Sequence, residues 1–172
     1  MDILIIIFLI ITTAMAFWGI STIISIFGGI NFVSSTDQVI KKSLKLAGLR
    51  RGEKFLELGS GMGSGLLIAA VDFGAKATGI EISPFHYFAS KILTFKNKMI
   101  NIKMGDFRNM DFGNFDVIYC YLSPKLMKKL SSKFKKQLPH GSRVVSLAFE
   151  IPNLKPAQVE IIKGKNIHLY EF

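Results

Sequence analysis

A glycine-rich loop is the part of this sequence best suited to hold a small ligand. Glycines occupy every second position from Gly59 to Gly65, after the largely apolar run Phe55–Leu58 and before a second apolar stretch. A strand, a glycine loop and a helix in this order bring the backbone close to a ligand at the carboxyl end of a sheet. Glu57, two residues before the loop, would repel a phosphate but suits an amine or a sulfonium cation.

Two common ligands of glycine loops do not fit the spacing. A dinucleotide site needs the pattern G-x-G-x-x-G, but after Gly59 and Gly61 the third position is Ser64. Shifting the register by two residues puts Leu66 at that position. A nucleoside triphosphate loop needs a lysine followed by serine or threonine after its last glycine, and here Gly65 is followed by two leucines.

The stretch that begins at Glu57 instead resembles the E/D-x-G-x-G-x-G signature of the seven-strand methyltransferases, whose cofactor is S-adenosylmethionine. Glu81 ends the second predicted strand and Asp106 follows the third, at the spacing of that family. A carboxylate at Glu81 can take both ribose hydroxyls, and the resemblance implies that Asp106 meets the adenine amino group, with Ile82 or Phe107 against the ring. The cofactor-binding residues expected in this way are Glu57, Gly59, Ser60, Gly61, Gly63, Glu81, Ile82, Asp106, Phe107 and Tyr121.

Most of the chain is similar to one branch of these enzymes, the short lysine methyltransferases that act on the adenine nucleotide translocase and the ATP synthase c subunit, with their prokaryotic relatives. The similarity is carried by residues 55–63, 79–84, 121–124, 126–138, 139–146, 152–156 and 169–170. It implies methyl transfer to the Nε atom of a protein lysine, by a truncated domain in or near a membrane. Met62 and Ser64 depart from the pattern, because an acidic and then a basic residue are common there.

Tyr121 and Ser123 are the candidate catalytic residues. They follow the fourth predicted strand, where amino-methyltransferases usually carry Asn/Asp-Pro-Pro-Tyr/Phe, and here the stretch is Tyr-Leu-Ser-Pro. The missing acidic or amide residue counts against a nucleobase amine as the methyl acceptor. Tyr121 can offer a hydroxyl or an aromatic face to an ammonium group, or it can be a packed core tyrosine. The lone Cys120 and three scattered histidines predict no metal site.

The N-terminal segment predicts a membrane-spanning helix. No charged residue occurs from Ile3 to Thr36, and Ile3–Phe27 would span ~37 Å as a helix, which exceeds the ~30 Å hydrocarbon core of a bilayer. All lysines and arginines follow residue 40, so the positive-inside rule predicts a single pass with the C-terminal domain in the cytoplasm. Trp18 lies well inside the run, and this favours the alternative of a helix packed on the domain or lying in the membrane interface.

The rest of the chain alternates between strand and helix patterns. Strands are predicted at 54–58, 77–82, 100–104, 115–122 and 142–150, and helices at 63–73, 84–98 and 124–137. A helix over 36–47 precedes them, with a capping box at Ser35 and Gln38 and Gly48 at its end. Strands at 158–163 and 166–172 would form a closing hairpin around Gly164. We therefore expect an α/β fold with a Rossmann-like seven-strand sheet, parallel apart from its C-terminal hairpin, and with truncated helices because the crossovers at 105–114 and 151–156 are short.

Three segments follow from these patterns: a hydrophobic helix at 1–30, a pre-domain helix and connector at 31–51, and a methyltransferase domain at 52–172. The expected partners are the lipid bilayer, through residues 3–27, and a protein substrate, for which a membrane protein is a candidate. The net charge of +10 and a lysine-rich helix at 124–137 leave an RNA or small-molecule methyltransferase as a rival, although nucleic acid is not favoured. A non-catalytic, cofactor-binding membrane adaptor is the second rival.

Overall fold

The computed structural model describes residues 3–27 and 35–172. A long helix α1 (Ile3–Phe27) and a short helix α2 (Asp37–Leu46) precede the alternating part of the chain. The helices that follow are α3 (Ser64–Asp72), α4 (Pro84–Thr94) and α5 (Pro124–Gln137), with one 3₁₀ turn at Phe107–Asn109. The strands are β1 (Lys54–Leu58), β2 (Lys76–Glu81), β3 (Ile100–Met104), β4 (Val117–Cys120), β5 (Arg143–Leu147), β6 (Gln158–Ile162) and β7 (Lys165–Glu171).

The strands form one seven-stranded sheet in the order β3-β2-β1-β4-β5-β7-β6. Strands β1 to β5 pair in parallel, whereas β7 runs antiparallel to both β5 and β6. The tight turn of the closing hairpin has positive φ at both Lys163 and Gly164, which matches the right-handed twist of the paired strands. The predicted fold class, including the antiparallel hairpin and the preceding apolar helix, is confirmed.

Two apolar cores lie on opposite faces of the sheet. On one face α2, α3 and α4 cover the sheet through side chains such as Val39, Leu66 and Tyr87. On the other face α5 inserts Met127, Leu130 and Phe134, which are fully or almost fully buried. The short crossovers after β3 and β5 leave this second face without further long helices among the described residues, as their lengths indicated.

The predicted capping box of α2 is wrong. The helix begins one residue later than expected, and its N-cap is Thr36, whose side chain makes no capping hydrogen bond. The Ser35 side chain instead lies close to the Tyr119 hydroxyl, where it opposes the rise in pKa that burial causes. The end of α2 was predicted well, because Gly48 has a φ of +60° and its N–H donates to the Lys45 carbonyl at 2.9 Å.

Other boundaries differ by a few residues. Helix α4 ends at Thr94 rather than Lys98, because a turn forms between Thr94 and Asn97. Strand β4 is confined to the four residues that pair with β1 and β5. The predicted boundary between residues 30 and 31 lies outside the described residues.

Helix α1 is long and apolar enough to cross a membrane by length and composition, with a mean hydropathy of 2.6 over Ile3–Ile26. It also touches the domain. The rings of Phe17 and Phe88 lie 6.4 Å apart between centroids, and the Ser21 hydroxyl accepts a hydrogen bond from the Phe85 N–H at 3.0 Å. The contacts of Phe17 and Ser21 agree with the alternative of a helix packed on the domain.

Removing the aromatic ring at the centre of the α5 core should destabilise the domain. Phe134 is fully buried and stacks on Phe112 with 5.4 Å between ring centroids. We expect Phe134→Ala to lower the free energy of unfolding by about 3–5 kcal/mol, since a large cavity replaces the ring. Urea denaturation of the detergent-solubilised chain measures this loss. The control Ile161→Ala, on exposed β6, should change the free energy of unfolding by less than about 0.5 kcal/mol. Equal effects of the two substitutions would contradict this description of the core.

Candidate active site

A cavity of about 190 Å³ opens at the carboxyl ends of β1 and β4. These strands are neighbours in the sheet although they are not consecutive in the chain, so the cavity lies at the point where the strand order reverses. Ligands of open α/β sheets bind at this place. Its walls include Glu57, Gly59, Ser60, Gly61, Met62, Ser64, Glu81, Tyr119 and Tyr121.

The glycine loop is tied to β2 and leads directly into α3. The N–H groups of Gly59 and Ser60 both donate to the Ile80 carbonyl, at 3.0 and 3.2 Å. Gly63 is the N-cap of α3 in a left-handed conformation, which a residue with a side chain rarely adopts. A Cβ atom at Gly65 would lie only 2.6 Å from Oε2 of Glu57, so the glycine there leaves room for that carboxylate.

The carboxylate of Glu81 is shared between two backbone groups. Its Oε2 atom accepts from the Gly61 N–H and its Oε1 atom accepts from the Ser83 N–H, both at 2.8 Å. Glu81 is buried and lines the cavity. These bonds fix the loop after β1 against the loop after β2, and they hold the carboxylate where the sequence predicts a ribose-binding group.

Glu57 is a second buried carboxylate in the same cavity. Burial is the main cause that raises its pKa to about 8, and the neighbouring Glu81 adds to the rise, while a hydrogen bond from the Leu66 N–H opposes it. Its Oε2 atom has no hydrogen-bond partner among the described residues. Two carboxylates, one of them incompletely paired, make this end of the cavity suited to a cation.

The expected adenine-binding residues are not brought into the cavity. Asp106 caps the 3₁₀ turn by accepting from the Arg108 N–H and also forms a two-pronged ion pair with the Arg108 guanidinium. That guanidinium is the main reason why the pKa of Asp106 lies below its usual value. Phe107 is buried in the core below the sheet. Ile82 is partly exposed beyond Glu81, so of the two residues expected at the ring it is the accessible one.

The two candidate catalytic residues separate. Tyr121 lines the cavity, and the Lys165 ammonium lies 4.8 Å from the centroid of its ring. Ser123 is the N-cap of α5, makes no capping bond with its side chain, and does not contribute to the cavity walls. Asp116 has a structural role, since its Oδ2 atom accepts from the Lys54 N–H at 2.7 Å and ties β1 to β4.

Several residues of the cavity were not predicted from the sequence. Tyr119 lies in β4, two residues before Tyr121, and the alternation of side chains along a strand puts both on the same side of the sheet, which was a usable signal. Burial raises the pKa of the Tyr119 hydroxyl, which keeps it neutral. His86 lies one turn into α4 with its Nδ1 atom 2.8 Å from the Ser83 hydroxyl. Ser25 comes from α1, and no local pattern in the sequence places α1 beside the cavity.

Comparison with known proteins gives the family. Residues 57–158 match the family described as the ANTKMT methyltransferase domain. The chain is 28% identical over 141 residues to a protein-lysine N-methyltransferase of Saccharolobus islandicus, covering 80% of this chain and 88% of that protein. It is 26% identical over 128 residues to a lysine N-methyltransferase of Rattus norvegicus that is named for the c subunit of ATP synthase, covering 73% of this chain and 58% of the rat protein.

Solved structures agree with the fold. An RNA methyltransferase from Salinibacter ruber in complex with S-adenosyl-L-homocysteine superposes with a TM-score of 0.78 at 26% identity, covering 81% of this chain and 93% of that one. A methyltransferase from Geobacter sulfurreducens, also with S-adenosyl-L-homocysteine, gives a TM-score of 0.54 at 20% identity, covering 64% of this chain and 46% of that one, and shows the fold alone.

The fold, the cavity at the strand reversal and these relatives define an S-adenosylmethionine-dependent methyltransferase. The chain belongs to the ANTKMT methyltransferase domain family, and it is a protein-lysine methyltransferase. The predicted family, enzyme class and cofactor are confirmed. The residues of the cavity fit that cofactor, because the unpaired Glu57 Oε2 atom and the adjacent Glu81 suit its positive charge.

The buried carboxyl of Glu57 should make stability depend on pH. Its pKa rises from 4.5 to about 8 in the folded chain, so the stability that its proton provides is complete below the unfolded pKa and is lost as pH rises through about 8. We expect Glu57→Gln to exceed the parent in free energy of unfolding at pH 9 by on the order of 3 kcal/mol and to differ little at pH 4. Urea titrations of the cofactor-free chain at both pH values measure this.

A matched control is Glu171→Gln, which removes an exposed carboxyl at the end of the sheet that lies away from the cavity, beside the first residue of β5. That variant should follow the parent at both pH values. If the free energy of unfolding changed with pH in the same way for Glu57→Gln and the parent, Glu57 would be ionised in the folded chain, contrary to its buried and unpaired position.

Proposed function

We propose that this lysine methyltransferase is held at a membrane by α1, with its domain on the cytoplasmic side, and that it methylates a lysine of a membrane-associated protein. The observation that carries the proposal is the contact of α1 with the active site. Ser25, in the last turns of α1, contributes to the wall of the cavity that holds Glu57 and Tyr121. Because α1 forms part of the cavity wall, methyl transfer takes place next to the membrane to which α1 is attached.

The charge distribution supports the cytoplasmic orientation. No lysine or arginine precedes α1, and all 22 of them follow residue 40. Lys41, Lys42 and Lys45 of α2 come closest after the apolar segment. Positive charge on one flank of a spanning helix favours the cytoplasm for that flank.

We further propose roles for the residues around the cofactor. Glu81 has its carboxylate fixed at the end of β2 and takes the ribose hydroxyls, while Glu57 faces the cationic part of the cofactor. Gly59, Ser60, Gly61 and Gly63 let the backbone approach it. Ile82 covers the adenine ring, with Asp106 and Phe107 outside the described cavity; an adenine contact by Asp106 would require its carboxylate to be shared with Arg108.

When bound, S-adenosylmethionine supplies the methyl group, which passes in line to the lysine nitrogen. This chain must orient a neutral amine and tolerate the positive charge that appears on it. The Tyr121 ring already holds the ammonium of Lys165, and the face of this ring therefore suits such a group. The neutral Tyr119 hydroxyl adds a hydrogen-bonding group in the same wall, and burial of the substrate amine favours its deprotonated form.

Loss of the Glu81 carboxylate should abolish cofactor binding. Glu81→Ala removes both the proposed ribose acceptor and the bonds that hold the Gly61 and Ser83 N–H groups, so we expect an affinity at least about 100-fold lower. Calorimetric titration with S-adenosyl-L-homocysteine measures it, with far-ultraviolet circular dichroism to confirm the fold. Glu171→Ala is the control. Undiminished affinity of a folded Glu81→Ala variant would overturn the site assignment.

Labelled methyl transfer should identify the acceptor. We expect the full chain, incubated with methyl-labelled S-adenosylmethionine and fractions of cells that lack it, to label protein in the membrane fraction. Mass spectrometry should place the label on a lysine. The rat and mouse relatives are named for lysine methylation of the ATP synthase c subunit and of the adenine nucleotide translocase. The chain spans only 58% and 57% of those two proteins, so the substrate must be found directly.

Three other outcomes would contradict the proposal. Label in the soluble protein fraction alone would remove the membrane substrate. Label in RNA and not in protein would favour the activity in the name of the Salinibacter ruber relative. Binding of the cofactor without transfer to any fraction would favour a non-catalytic adaptor.

A further inference from the structure

Helix α4 has the reverse of the usual distribution of polar and apolar residues. Its buried positions are Ser90 and Thr94, whereas Phe88, Ile92 and Phe95 are 53%, 70% and 74% exposed. The last three follow at i, i+4 and i+7, so they form one stripe along the helix and its C-terminal end. A helix on the surface of a globular domain normally turns such a stripe toward the core.

The packing of the domain explains the inner face of α4 and leaves the stripe unexplained. A Cβ atom at Gly63 would lie 3.3 Å from Thr94 and 3.4 Å from Ser90, so only small side chains fit between α4 and the glycine loop. Both hydroxyls are satisfied within the helix, by the carbonyls of Tyr87 and Ser90. The exposed stripe does not contribute to either core.

The stripe is continuous with α1. Phe88, at its N-terminal end, packs against Phe17, and one turn further along α1 the Ser21 hydroxyl lies 2.7 Å from the Ser83 hydroxyl. Ser21 is 2% exposed. At this level of α1, Trp18 and Ile20 are each 58% exposed. The apolar environment that covers these two side chains would therefore also contact Phe88.

The length of the exposed part of α1 indicates the depth at which this contact lies. Residues 3–16 are exposed throughout and would span only ~21 Å as a helix, short of the ~30 Å hydrocarbon core. The contact with α4 at Phe17 therefore falls within or at the edge of the apolar layer.

The charges around the stripe suit anionic headgroups. Lys91, Lys96 and Lys98 flank the apolar residues, and all three are exposed. The Lys91 and Lys96 ammonium groups lie 6.0 and 5.6 Å from the ring centroids of Tyr87 and Phe95. Lysines beside apolar and aromatic side chains are typical of a helix that lies in the interface of a membrane.

We propose that Phe88, Ile92 and Phe95, here named the α4 lipid face, lie in the cytoplasmic interface of the bilayer that α1 enters. The inference rests on the proposed membrane attachment through α1. It adds a second, monotopic contact, which holds the domain at a fixed height. Because Glu81 and Ser83 lead directly into α4, the lipid face also fixes the cofactor site close to the membrane surface.

Site-specific fluorescence in vesicles tests the α4 lipid face. The variants Ile92→Cys and Phe95→Cys of the full chain are labelled with an environment-sensitive dye at the introduced cysteine, since the native Cys120 is fully buried. Val159→Cys, 47% exposed on β6, is the matched control. In vesicles of phosphatidylcholine and phosphatidylglycerol we expect shallow spin-labelled lipid to quench the dye by about half or more at 92 and 95, and little at 159. Washing the vesicles at alkaline pH reports attachment through α1 separately.

The two measurements separate the inference from the proposed function. A chain that resists the alkaline wash but shows no quenching at 92 and 95 would overturn the lipid face and leave the membrane attachment standing. A chain that the wash removes would overturn the attachment, and quenching in the unwashed vesicles would then decide the lipid face by itself. A dye at 92 that is shielded in native membranes but unquenched in protein-free vesicles would show that a protein covers the stripe, which also overturns the proposal.

Discussion

The Glu81 carboxylate joins the glycine loop after β1 to the loop after β2. One oxygen accepts from the glycine loop after β1 and the other from Ser83, just beyond β2. Ser83 then continues the connection, since its hydroxyl meets both His86 at the start of α4 and Ser21 of α1. One ionisable group therefore sets the shape of the cofactor loop, the start of α4 and the docking of the apolar helix.

This arrangement carries an electrostatic cost that the cofactor can relieve. Glu57 lies near Glu81 in a buried pocket, and burial, with a smaller effect of the second carboxylate, raises the pKa of its carboxyl to about 8, so ionising it at neutral pH is unfavourable in the protein alone. Buried groups whose charge is incompletely paired destabilise the protein by itself and are typical of functional sites. A cationic ligand supplies the missing partner, so the feature that is unfavourable in the protein alone becomes a favourable one in the complex.

Patterns within a short stretch of sequence predicted most of the fold. Strand and helix periodicities located the seven strands, and Glu57, Glu81 and several of the glycines singled out by their spacing line one cavity. What the sequence did not show were contacts between distant residues. Ser35 resembles a helix cap but lies close to the Tyr119 hydroxyl, 84 residues away in the chain, and Asp106 forms an ion pair with Arg108. The partner of each of these side chains depends on which groups the fold brings together, and local propensity contains no information about such contacts.

Under the proposed membrane attachment, the position of α1 would restrict which lysines can be substrates. Ser21, which docks on α4, and Ser25, which lines the cavity, are one helical turn apart, so the two contacts are separated by only ~6 Å along α1. With α4 at the lipid interface, the cavity is then within about one turn of the membrane surface as well. A lysine far from the membrane on a rigid partner could not reach Tyr121 without detaching the domain. Specificity in this enzyme would accordingly depend on the height of the acceptor lysine above the bilayer as much as on the residues that flank it.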